Sequence, residues 1–464
     1  MTRTHPEILR CISPIDGSVF AERPACPLDA ARAACARARS AQPAWAARPL
    51  QERIDLVLAG VAALGAMNND VVPELAHMMG RPVRYGGEFG GVDERASHMA
   101  AIAESALADI PVADDATFRR YIKRVPHGVV LVVAPWNYPY MTAINTVAPA
   151  LIAGNSVVLK HATQTLLVGE RMAAAFHAAG VPEDVFRNLF LGHDTTAALI
   201  ADRAFDFVNF TGSVAGGQAM ERAAAGTFAG VATELGGKDP GYVMEDADVE
   251  AAAETLIDAA MYNSGQCCCG IERIYVHETL YNAFVEKAVT IVAGYKLGNP
   301  LEAETTLGPM AHARFAAEVR AQTAEAIADG ATPLIEPFAE DDGGAYLSPQ
   351  ILTNVTHKMR VMRDESFGPV VGVMPVRSDD EAIALMNDSQ FGLTASLWTS
   401  DPERAATIGD RIETGTVFLN RADYLDPALC WTGCKQTGRG GGLSAIGYHN
   451  LTRPKSFHLK KVTQ

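Results

Sequence analysis

The sequence predicts an α/β protein of two or three domains, built from parallel sheets with helices on both faces. Short apolar strand patterns alternate with helical patterns of about ten to fifteen residues in the middle and C-terminal parts of the chain, which is typical of parallel sheets. At 464 residues the chain is longer than one hydrophobic core usually supports. Hydrophobic residues make up 48% of it, which is enough to bury several cores.

The N-terminal part predicts three surface helices. They start near Asp29 (DAARAACARARSAQ), at Leu50 (LQERIDLVLAGVAALGAM) and after Gly91 (VDERASHMAAIAESAL). Apolar residues in these stretches recur at spacings of three and four, so each helix has one apolar face. We expect these faces to cover a core.

The strand patterns begin at Arg119, where RRYIKRV and GVVLVVAP flank a turn at 126–128. Further strand patterns are NSVVLK, FDFVNF, GVATEL, GYVME, ERIYVHE, VVGVMPV, SLWTS and GTVFLN. Helices are predicted over about 166–179 and from about Val214. A domain boundary is predicted near Gly236–Gly237, because two glycines follow a strand there and a new series of strand and helix patterns begins.

The charge balance excludes two classes of partner. The 39 Lys and Arg residues are outnumbered by 54 Asp and Glu, which gives a formal charge of -15. Nucleic-acid and anionic-membrane binders need a basic face instead. No apolar run approaches the length of a membrane span, and the N-terminus MTRTHPEILR lacks the apolar segment of a signal peptide. We therefore expect a cytoplasmic protein.

The eight cysteines show neither disulfide-framework spacing nor the paired C-x2-C units of a zinc ribbon, so we expect free thiols and no bound metal. Three of them are consecutive in NSGQCCCGIER (263–273), where Gly265 can turn the chain after a helical pattern. A cysteine nucleophile needs a lowered pKa or a nearby base, and donors for a developing oxyanion. Taken alone, the three cysteines fit small buried hydrophobic residues at least as well.

Two polar residues at strand ends are candidate partners for such a thiol. PWNYP (135–139) places Asn137 on a turn, where its amide could donate to an oxyanion or could bond only with its own turn. TELGGKDP (233–240) places Glu234 at a strand end. Its carboxylate could reach a water as a general base, or could be a solvated or helix-capping acid.

A glycine-rich turn joins a strand to a helix in FTGSVAGG (210–217). Such turns place backbone N–H groups and the positive end of a helix against a phosphate. The spacing from Gly212 to Gly217 is not the Rossmann G-x-G-x-x-G, and the Lys-Ser/Thr of a P-loop does not follow. By itself this turn is a weak indication of a phosphate site.

Together, seven segments resemble the NAD(P)-dependent aldehyde dehydrogenase superfamily in order and spacing, over essentially the whole chain. They are PWNYP, GNSVVLK, FTGS, ELGGK, NSGQCCCGIER, ESFGP and SQFGLTASLWT. The resemblance implies a Rossmann-like cofactor domain (1–118 and 134–236), an α/β catalytic domain (237–430) and a small β oligomerisation arm (119–133 and 448–464). It also implies a small-molecule aldehyde substrate and a homodimer or homotetramer.

The resemblance assigns three catalytic residues. Cys268, the middle cysteine, is the nucleophile, and Asn137 forms an oxyanion hole with the Cys268 backbone N–H. Glu234 is the general base for the water that hydrolyses a thioester on Cys268. The alternatives are a CoA-acylating dehydrogenase, which usually lacks a base at the Glu234 position, a non-catalytic member of the family, and a cysteine hydrolase, for which no paired His motif is present.

For the cofactor, the resemblance implies binding by residues on several segments, namely Trp136, Lys160, Thr163, Gly212, Ser213, Glu365 and Phe367. Lys160 would bind the adenosine ribose or its phosphate. Many relatives have a Glu at the Thr163 position, which holds the ribose hydroxyls and repels a 2′-phosphate. Because a threonine does neither as well, we expect NADP to be accepted as well as NAD.

The resemblance also places a substrate pocket among Tyr138, Thr142, Asn145, Cys267, Cys269, Arg421 and Trp431. Apolar walls favour a medium or aromatic aldehyde, whereas Arg421 could clamp the carboxylate of a semialdehyde such as succinate semialdehyde. The alternative for Arg421 is an ion pair with Asp423 or Asp426. Two departures from the family concern Thr146, where many members have a Lys, and Gly442, where many have a Glu near the base.

Overall fold

The computed structural model describes residues 7–462, which form five sheets and the helices around them. The strands, in chain order, are β1 (Ile8–Ile12), β2 (Val19–Pro24), β3 (Ile110–Asp114), β4 (Phe118–Pro126), β5 (Val129–Ala134), β6 (Ser156–His161), β7 (Phe186–Asn188), β8 (Phe207–Thr211), β9 (Gly230–Glu234), β10 (Asp239–Val243), β11 (Ile271–His277), β12 (Thr332–Pro333), β13 (Gln350–Thr353), β14 (Val370–Val376), β15 (Phe391–Gly392), β16 (Thr394–Trp398), β17 (Thr416–Leu419), β18 (Cys434–Lys435), β19 (Gly438–Arg439) and β20 (Thr452–Lys460).

The α-helices, in chain order, are α1 (Leu28–Ala46), α2 (Leu50–Gly65), α3 (Asn68–Met79), α4 (Phe89–Ala106), α5 (Pro139–Ile152), α6 (Leu166–Ala178), α7 (His193–Ala201), α8 (Val214–Ala224), α9 (Val249–Met261), α10 (Tyr281–Ala293), α11 (Ala313–Ala328), α12 (Arg360–Arg363), α13 (Asp379–Asn387), α14 (Pro402–Gly409) and α15 (Ser444–Asn450). The helices α1, α2 and α4 overlap the three predicted N-terminal patterns, whereas α3 lies between two of them and was not predicted. Short 3-10 turns lie at Val83–Tyr85, Thr163–Thr165 and Tyr262–Gly265.

The first large sheet has the strand order β19-β9-β8-β5-β6-β7, and β5 to β9 run parallel. The chain adds β6 and β7 on one side of β5 and then β8 and β9 on the other. Alternate residues of β5 belong to two different cores, with Val130 and Val132 in one and Val129 and Leu131 in the other. The order reverses at β5, and ligands of such sheets bind outside the carboxyl ends of the strands at this point.

The second large sheet has the order β12-β13-β14-β11-β10-β16-β17, and all of its strands are parallel except β12. The chain passes from the first sheet to this one between Glu234 and Asp239. Its two faces are again covered by separate cores, since Tyr275 of β11 lies in one and Ile274 in the other. The predicted α/β class with two helix-covered sheets is confirmed.

A three-stranded antiparallel sheet, β20-β4-β3, forms the small arm. The prediction that residues 119–133 belong to it is wrong in its second half, because β5 lies in the centre of the first large sheet. All six β5 residues are buried, as expected of a parallel strand covered on both faces, whereas β20 is mostly exposed. The predicted C-terminal piece, 448–464, also begins too early, since α15 runs to Asn450 and the strand starts at Thr452.

Within residues 7–462, no single helix is both long and apolar enough to cross a membrane. The consecutive helices α2 and α3, bent by 69° at the break between them, reach that length and composition only as a pair.

Candidate active site

A cavity of about 1180 Å³ lies between the two large sheets. Its lining includes residues that follow the carboxyl ends of β5, β6 and β8, and residues that precede β10, β11 and β14. The carboxyl edge of the first sheet therefore faces the amino edge of the second. Parallel topology brings segments that are far apart in sequence to this one cleft.

The cysteine run follows a strained turn that ends α9. Asn263 and Ser264 have φ angles of 54° and 56°, and Gly265 has +69°. A Cβ on Gly265 would lie 2.2 Å from the carbonyl carbon and oxygen of Gly368, so only glycine fits at this close approach. After this turn Cys268 is half-buried and lines the cavity.

The two flanking thiols are buried on either side of Cys268. Their Sγ atoms lie 3.6 Å apart and contact the same Asp423 oxygen, at 3.1 Å from Cys267 and 3.0 Å from Cys269. Hydrogen bonds from these thiols lower the pKa of the Cys268 thiol. All three Sγ atoms lie within 4.8 Å of one another, a spacing that a metal ion could also use, so the absence of a metal stays a prediction. All eight cysteines are free thiols.

Hydrogen bonds hold both the side-chain amide and the backbone carbonyl of Asn137 beside the cysteine loop. Its Nδ2 donates to the carbonyl oxygen of Gln266 at 3.2 Å. Its backbone carbonyl accepts from Arg81 Nη2 at 2.6 Å and from Asn263 Nδ2 at 3.2 Å. Arg81 also forms a buried ion pair with Glu88, which accepts the backbone N–H groups of the first turn of α5. The amide is therefore pre-organised close to Cys268.

Glu234 ends β9 and lines the same cavity. Burial raises the pKa of its carboxyl to about 7, and the Thr211 hydroxyl contacts it at 3.5 Å. A Cβ on Gly237 would lie 2.6 Å from the Cys268 carbonyl oxygen, so this glycine lets the strand end approach the cysteine loop. A Cβ on Gly442 would lie 2.9 Å from Glu234 Oε1. Gly442, where many relatives have a Glu, therefore lies next to this carboxylate.

The other end of the cavity contains the residues that resemble a dinucleotide site. Lys160, at the end of β6, is buried and makes no ion pair with any residue in 7–462. Thr163 begins a 3-10 turn and lines the cavity. Ser213 is the N-cap of α8, accepting the Gly216 N–H at 3.2 Å, and Gly212 precedes it at the cavity wall.

The loop before β14 supplies the remaining predicted cofactor residues. Glu365 accepts the Gly237 N–H at 3.1 Å, and burial raises the pKa of its carboxyl to about 8. Phe367 lies edge-on to Trp136 at 5.5 Å between ring centroids. The loop is held by Glu272, which accepts the backbone N–H groups of Ser366 at 2.8 Å and Phe367 at 2.9 Å. Glu272 in turn pairs with the buried Lys238.

Most of the predicted substrate residues line the cavity beside the thiols, and these are Tyr138, Thr142, Asn145, Cys267, Cys269 and Trp431. Arg421 does not. Its side chain is exposed, and its guanidinium lies over the ring of Tyr424 at 3.6 Å rather than in an ion pair with Asp423 or Asp426. The prediction that Arg421 lies in the pocket is therefore wrong, because this stacking holds it away from the cavity. Thr146 is buried on α5 and is not part of the cavity wall.

Four residues of the site do not follow from the sequence motifs: Arg81, Arg95, Glu272 and Asp423. Arg95 had a detectable signal, since it lies on the apolar stripe of α4 with Val92, Ala96 and Met99. A charged residue on that face must be buried. The other three act through contacts with residues distant in sequence, which no local pattern indicates.

Comparison with known proteins agrees with this geometry. The pattern of the Aldehyde dehydrogenase family matches residues 1–457. A probable succinate-semialdehyde dehydrogenase [NADP(+)] of Synechocystis sp. is 37% identical over 357 residues, covering 77% of this chain and 78% of the relative. Betaine aldehyde dehydrogenase 2 of Rhizobium meliloti is 31% identical over 465 residues, covering 99% and 96%.

Among solved structures, the NAD-dependent aldehyde dehydrogenase from Sinorhizobium meliloti superposes with a TM-score of 0.93 at 31% identity, covering 98% of this chain and 92% of that one. The family match spans nearly the whole sequence, and the cavity contains the cysteine, amide and carboxylate that the resemblance implies. The chain belongs to the aldehyde dehydrogenase family and is an NAD(P)-dependent oxidoreductase.

Proposed function

We propose that the protein oxidises an aldehyde to a carboxylic acid with NAD(P)+ through a covalent intermediate on Cys268, which water activated by Glu234 then hydrolyses. The observation that carries this proposal is the common cavity of Cys268, Asn137 and Glu234. Each has the environment its role requires: a thiol with a lowered pKa, a held amide, and a carboxyl whose pKa lies near neutrality.

The residues present fit a dinucleotide. Lys160 is a buried ammonium with no carboxylate partner in 7–462, so an anionic group from outside the chain would complete its environment. The N-terminus of α8 at Ser213 opens into the same cavity and favours a phosphate. Trp136, Glu365 and Phe367 would hold the nicotinamide ribose and ring at the other end of the dinucleotide. When bound, the dinucleotide supplies the hydride acceptor.

The chemistry of the chain's own residues follows from this arrangement. The Cys268 thiolate adds to the aldehyde carbon and forms a C–S bond, and the oxygen becomes an alkoxide. Donors from Asn137 Nδ2 and the Cys268 backbone N–H stabilise that charge. Loss of hydride leaves a thioester on Cys268. Glu234 removes a proton from a water as it attacks the thioester, which breaks the C–S bond and releases the carboxylic acid and the thiol.

For the cofactor, we propose that NADP is used at least as well as NAD. A glutamate at position 163 would repel a 2′-phosphate, whereas Thr163 is neutral and Lys160 is free to pair with it. The Synechocystis relative carries NADP(+) in its name. We also propose that the protein is cytoplasmic, as the sequence predicts.

We also propose that the protein is a homodimer or a homotetramer through the arm sheet. Its two edge strands, β3 and β20, expose Ile110, Val112 and Leu459. Unpaired strand edges with apolar side chains favour pairing with another chain. Light scattering coupled to size exclusion tests this: a stable monomer of 49.4 kDa would contradict it.

A panel of aldehydes assayed with NAD and with NADP tests the activity. Growth of the reduced-nicotinamide absorbance with at least one aldehyde is expected, and the product should be the free acid whether or not CoA is present. A product that is acyl-CoA, formed only when CoA is added, would favour the CoA-acylating alternative. No reduction with any aldehyde, in a sample that binds the dinucleotide, would favour a non-catalytic member of the family.

A further inference from the structure

A buried arginine lines the substrate end of the cavity without an acidic partner. Arg95 lies on α4, is only 8% exposed and is part of the cavity wall. Both hydrogen bonds of its guanidinium use Nη1, which donates to the Met141 carbonyl at 3.1 Å and to Asn145 Oδ1 at 3.4 Å. Its Nε is buried and has no hydrogen-bond partner among the described residues.

Three of the acidic groups around Arg95 are already engaged, and the fourth, Glu234, senses the charge of Arg95 but forms no ion pair with any residue in 7–462. Glu88 pairs with Arg81 and caps α5, and Glu94 accepts the Tyr424 hydroxyl at 2.6 Å. Asp423 contacts two thiols, and burial raises the pKa of its carboxyl well above the usual range. Arg95 forms no ion pair with any residue in 7–462. A buried guanidinium without a counter-ion is costly and favours binding an anion.

A second unpartnered donor lines the same cavity. The Tyr138 hydroxyl is buried and has no hydrogen-bond partner among residues 7–462. Its ring lines the cavity, and the Arg81 guanidinium lies over it at 4.8 Å. An arginine and a hydroxyl facing one pocket are suited to the oxygens of a carboxylate, which accepts up to four hydrogen bonds.

The cavity that contains these donors and the thiols also has apolar walls. Met141, Leu425 and Trp431 contribute to them. Such walls suit a short hydrocarbon chain, and they exclude water from the charged group at its end. The relatives include enzymes named for an anionic aldehyde and for a cationic one, and a buried arginine disfavours the cationic class.

We propose that Arg95, with the Tyr138 hydroxyl, binds the terminal carboxylate of a semialdehyde whose aldehyde carbon reaches Cys268. The inference rests on the proposed aldehyde oxidation and names its substrate class. Arg95 takes the role that was one of two possibilities for Arg421 on the basis of the sequence. The pocket therefore selects a short ω-carboxylated aldehyde over its neutral and cationic counterparts.

The test compares three four-carbon or similar aldehydes: succinate semialdehyde, butanal and betaine aldehyde. The wild-type protein should prefer succinate semialdehyde to butanal in kcat/KM, and butanal to betaine aldehyde. In Arg95→Met the preference for succinate semialdehyde over butanal should fall about thirtyfold or more, mainly through KM, because a buried charge pair is lost. Arg95→Lys should retain part of the preference for succinate semialdehyde. Arg421→Met, the matched exposed control, should leave this preference unchanged.

Several outcomes would overturn the inference. One is a loss of kcat/KM in Arg95→Met that is equal for succinate semialdehyde and butanal. Another is a shifted pH profile of kcat in Arg95→Met with the preference for succinate semialdehyde intact, which would show that Arg95 acts on Glu234 instead. A wild-type enzyme that oxidises butanal without preferring the semialdehyde would also overturn it. Failure of the proposed function is distinct, since then no aldehyde is oxidised.

A measurement on the wild-type protein keeps the test independent of how Arg95→Met folds. Succinate should inhibit butanal oxidation competitively, and butyramide, which has a neutral end group, should inhibit at least tenfold more weakly. Equal inhibition by the two would contradict a carboxylate subsite.

Discussion

The Nδ2 of Asn137 donates to the carbonyl oxygen of Gln266 at 3.2 Å, which fixes the amide two residues before Cys268. The two residues come from different parts of the chain, the turn after β5 and the loop after α9. Because the amide is already oriented, little reorganisation is needed when charge develops on the substrate oxygen. This contact joins the two large sheets at the point where the chemistry is proposed.

Asn137→Ala should lower kcat by about 100-fold to 1000-fold, which is the usual cost of removing one oxyanion donor. KM should change little, because the donor acts on the charged intermediate. Steady-state kinetics with the preferred aldehyde measure both quantities. A change confined to KM would show that Asn137 only binds substrate.

The pH dependence of kcat should report Glu234. Burial raises the pKa of this carboxyl to about 7, and the base must be deprotonated to accept a proton from water. The rate of thioester hydrolysis should therefore rise with pH through about 7 and level off above it. Glu234→Gln should remove this limb and lower kcat at least about 100-fold. A pH profile that is the same in Glu234→Gln would contradict the assignment.

Thr163→Glu should reverse the cofactor preference. The new carboxylate would repel the 2′-phosphate and accept hydrogen bonds from the ribose hydroxyls, so kcat/KM with NADP should fall at least about tenfold while that with NAD rises. Lys160→Met is the complementary variant and should lower kcat/KM with NADP more than kcat/KM with NAD. Equal effects on the two cofactors in both variants would show that neither side chain contacts the 2′ position.

Gly265→Ala should destabilise the protein and inactivate it. The residue has a φ of +69°, and a Cβ would lie 2.2 Å from the backbone of Gly368. Gly330→Ala is the matched control, since Gly330 has a φ of +106° but nothing within 4 Å of the added Cβ. Gly330→Ala should lower the free energy of unfolding by only about 1–2 kcal/mol, because of its backbone conformation, and Gly265→Ala should lower it clearly more. Chemical denaturation of both variants measures the difference.

Glu272→Gln should loosen the cofactor loop. Glu272 accepts the N–H groups of Ser366 and Phe367 and pairs with the buried Lys238, so the variant leaves that ammonium without its partner. We expect a loss of about 3 kcal/mol in unfolding free energy and a higher KM for the dinucleotide. Unchanged cofactor binding in a destabilised protein would limit Glu272 to a structural role.

The sequence is sufficient to predict the parallel sheets, because short apolar strand patterns alternate with helical patterns along the chain. It also places Cys268, Asn137 and Glu234 on strand ends or after turns, and parallel topology brings them to the cleft between the two large sheets. It does not predict the partners of β5: the resemblance assigns 119–133 to the arm, whereas β5 pairs with β6 and β8, and only β4 pairs with β20 and β3.

The substrate end was less predictable for a similar reason. Arg421 lies in a loop, and a loop arginine can face either the pocket or solvent, depending on contacts such as the ring of Tyr424. Arg95 lies on the apolar stripe of α4, which indicates that it is buried but not that it lines the cavity. Its burial depends on α5, whose Met141 carbonyl accepts its hydrogen bond from 46 residues away in sequence.

The most direct measurement of the central claim is the mass of the protein after it reacts with aldehyde and NAD(P)+ in the Glu234→Gln background. With hydrolysis slowed, an acyl group should accumulate at one per chain, and peptide mapping should locate it on Cys268. Cys267→Ala and Cys269→Ala should still form it, and Cys268→Ala should not. Acylation of a flanking cysteine, or turnover in Cys268→Ala, would contradict the account.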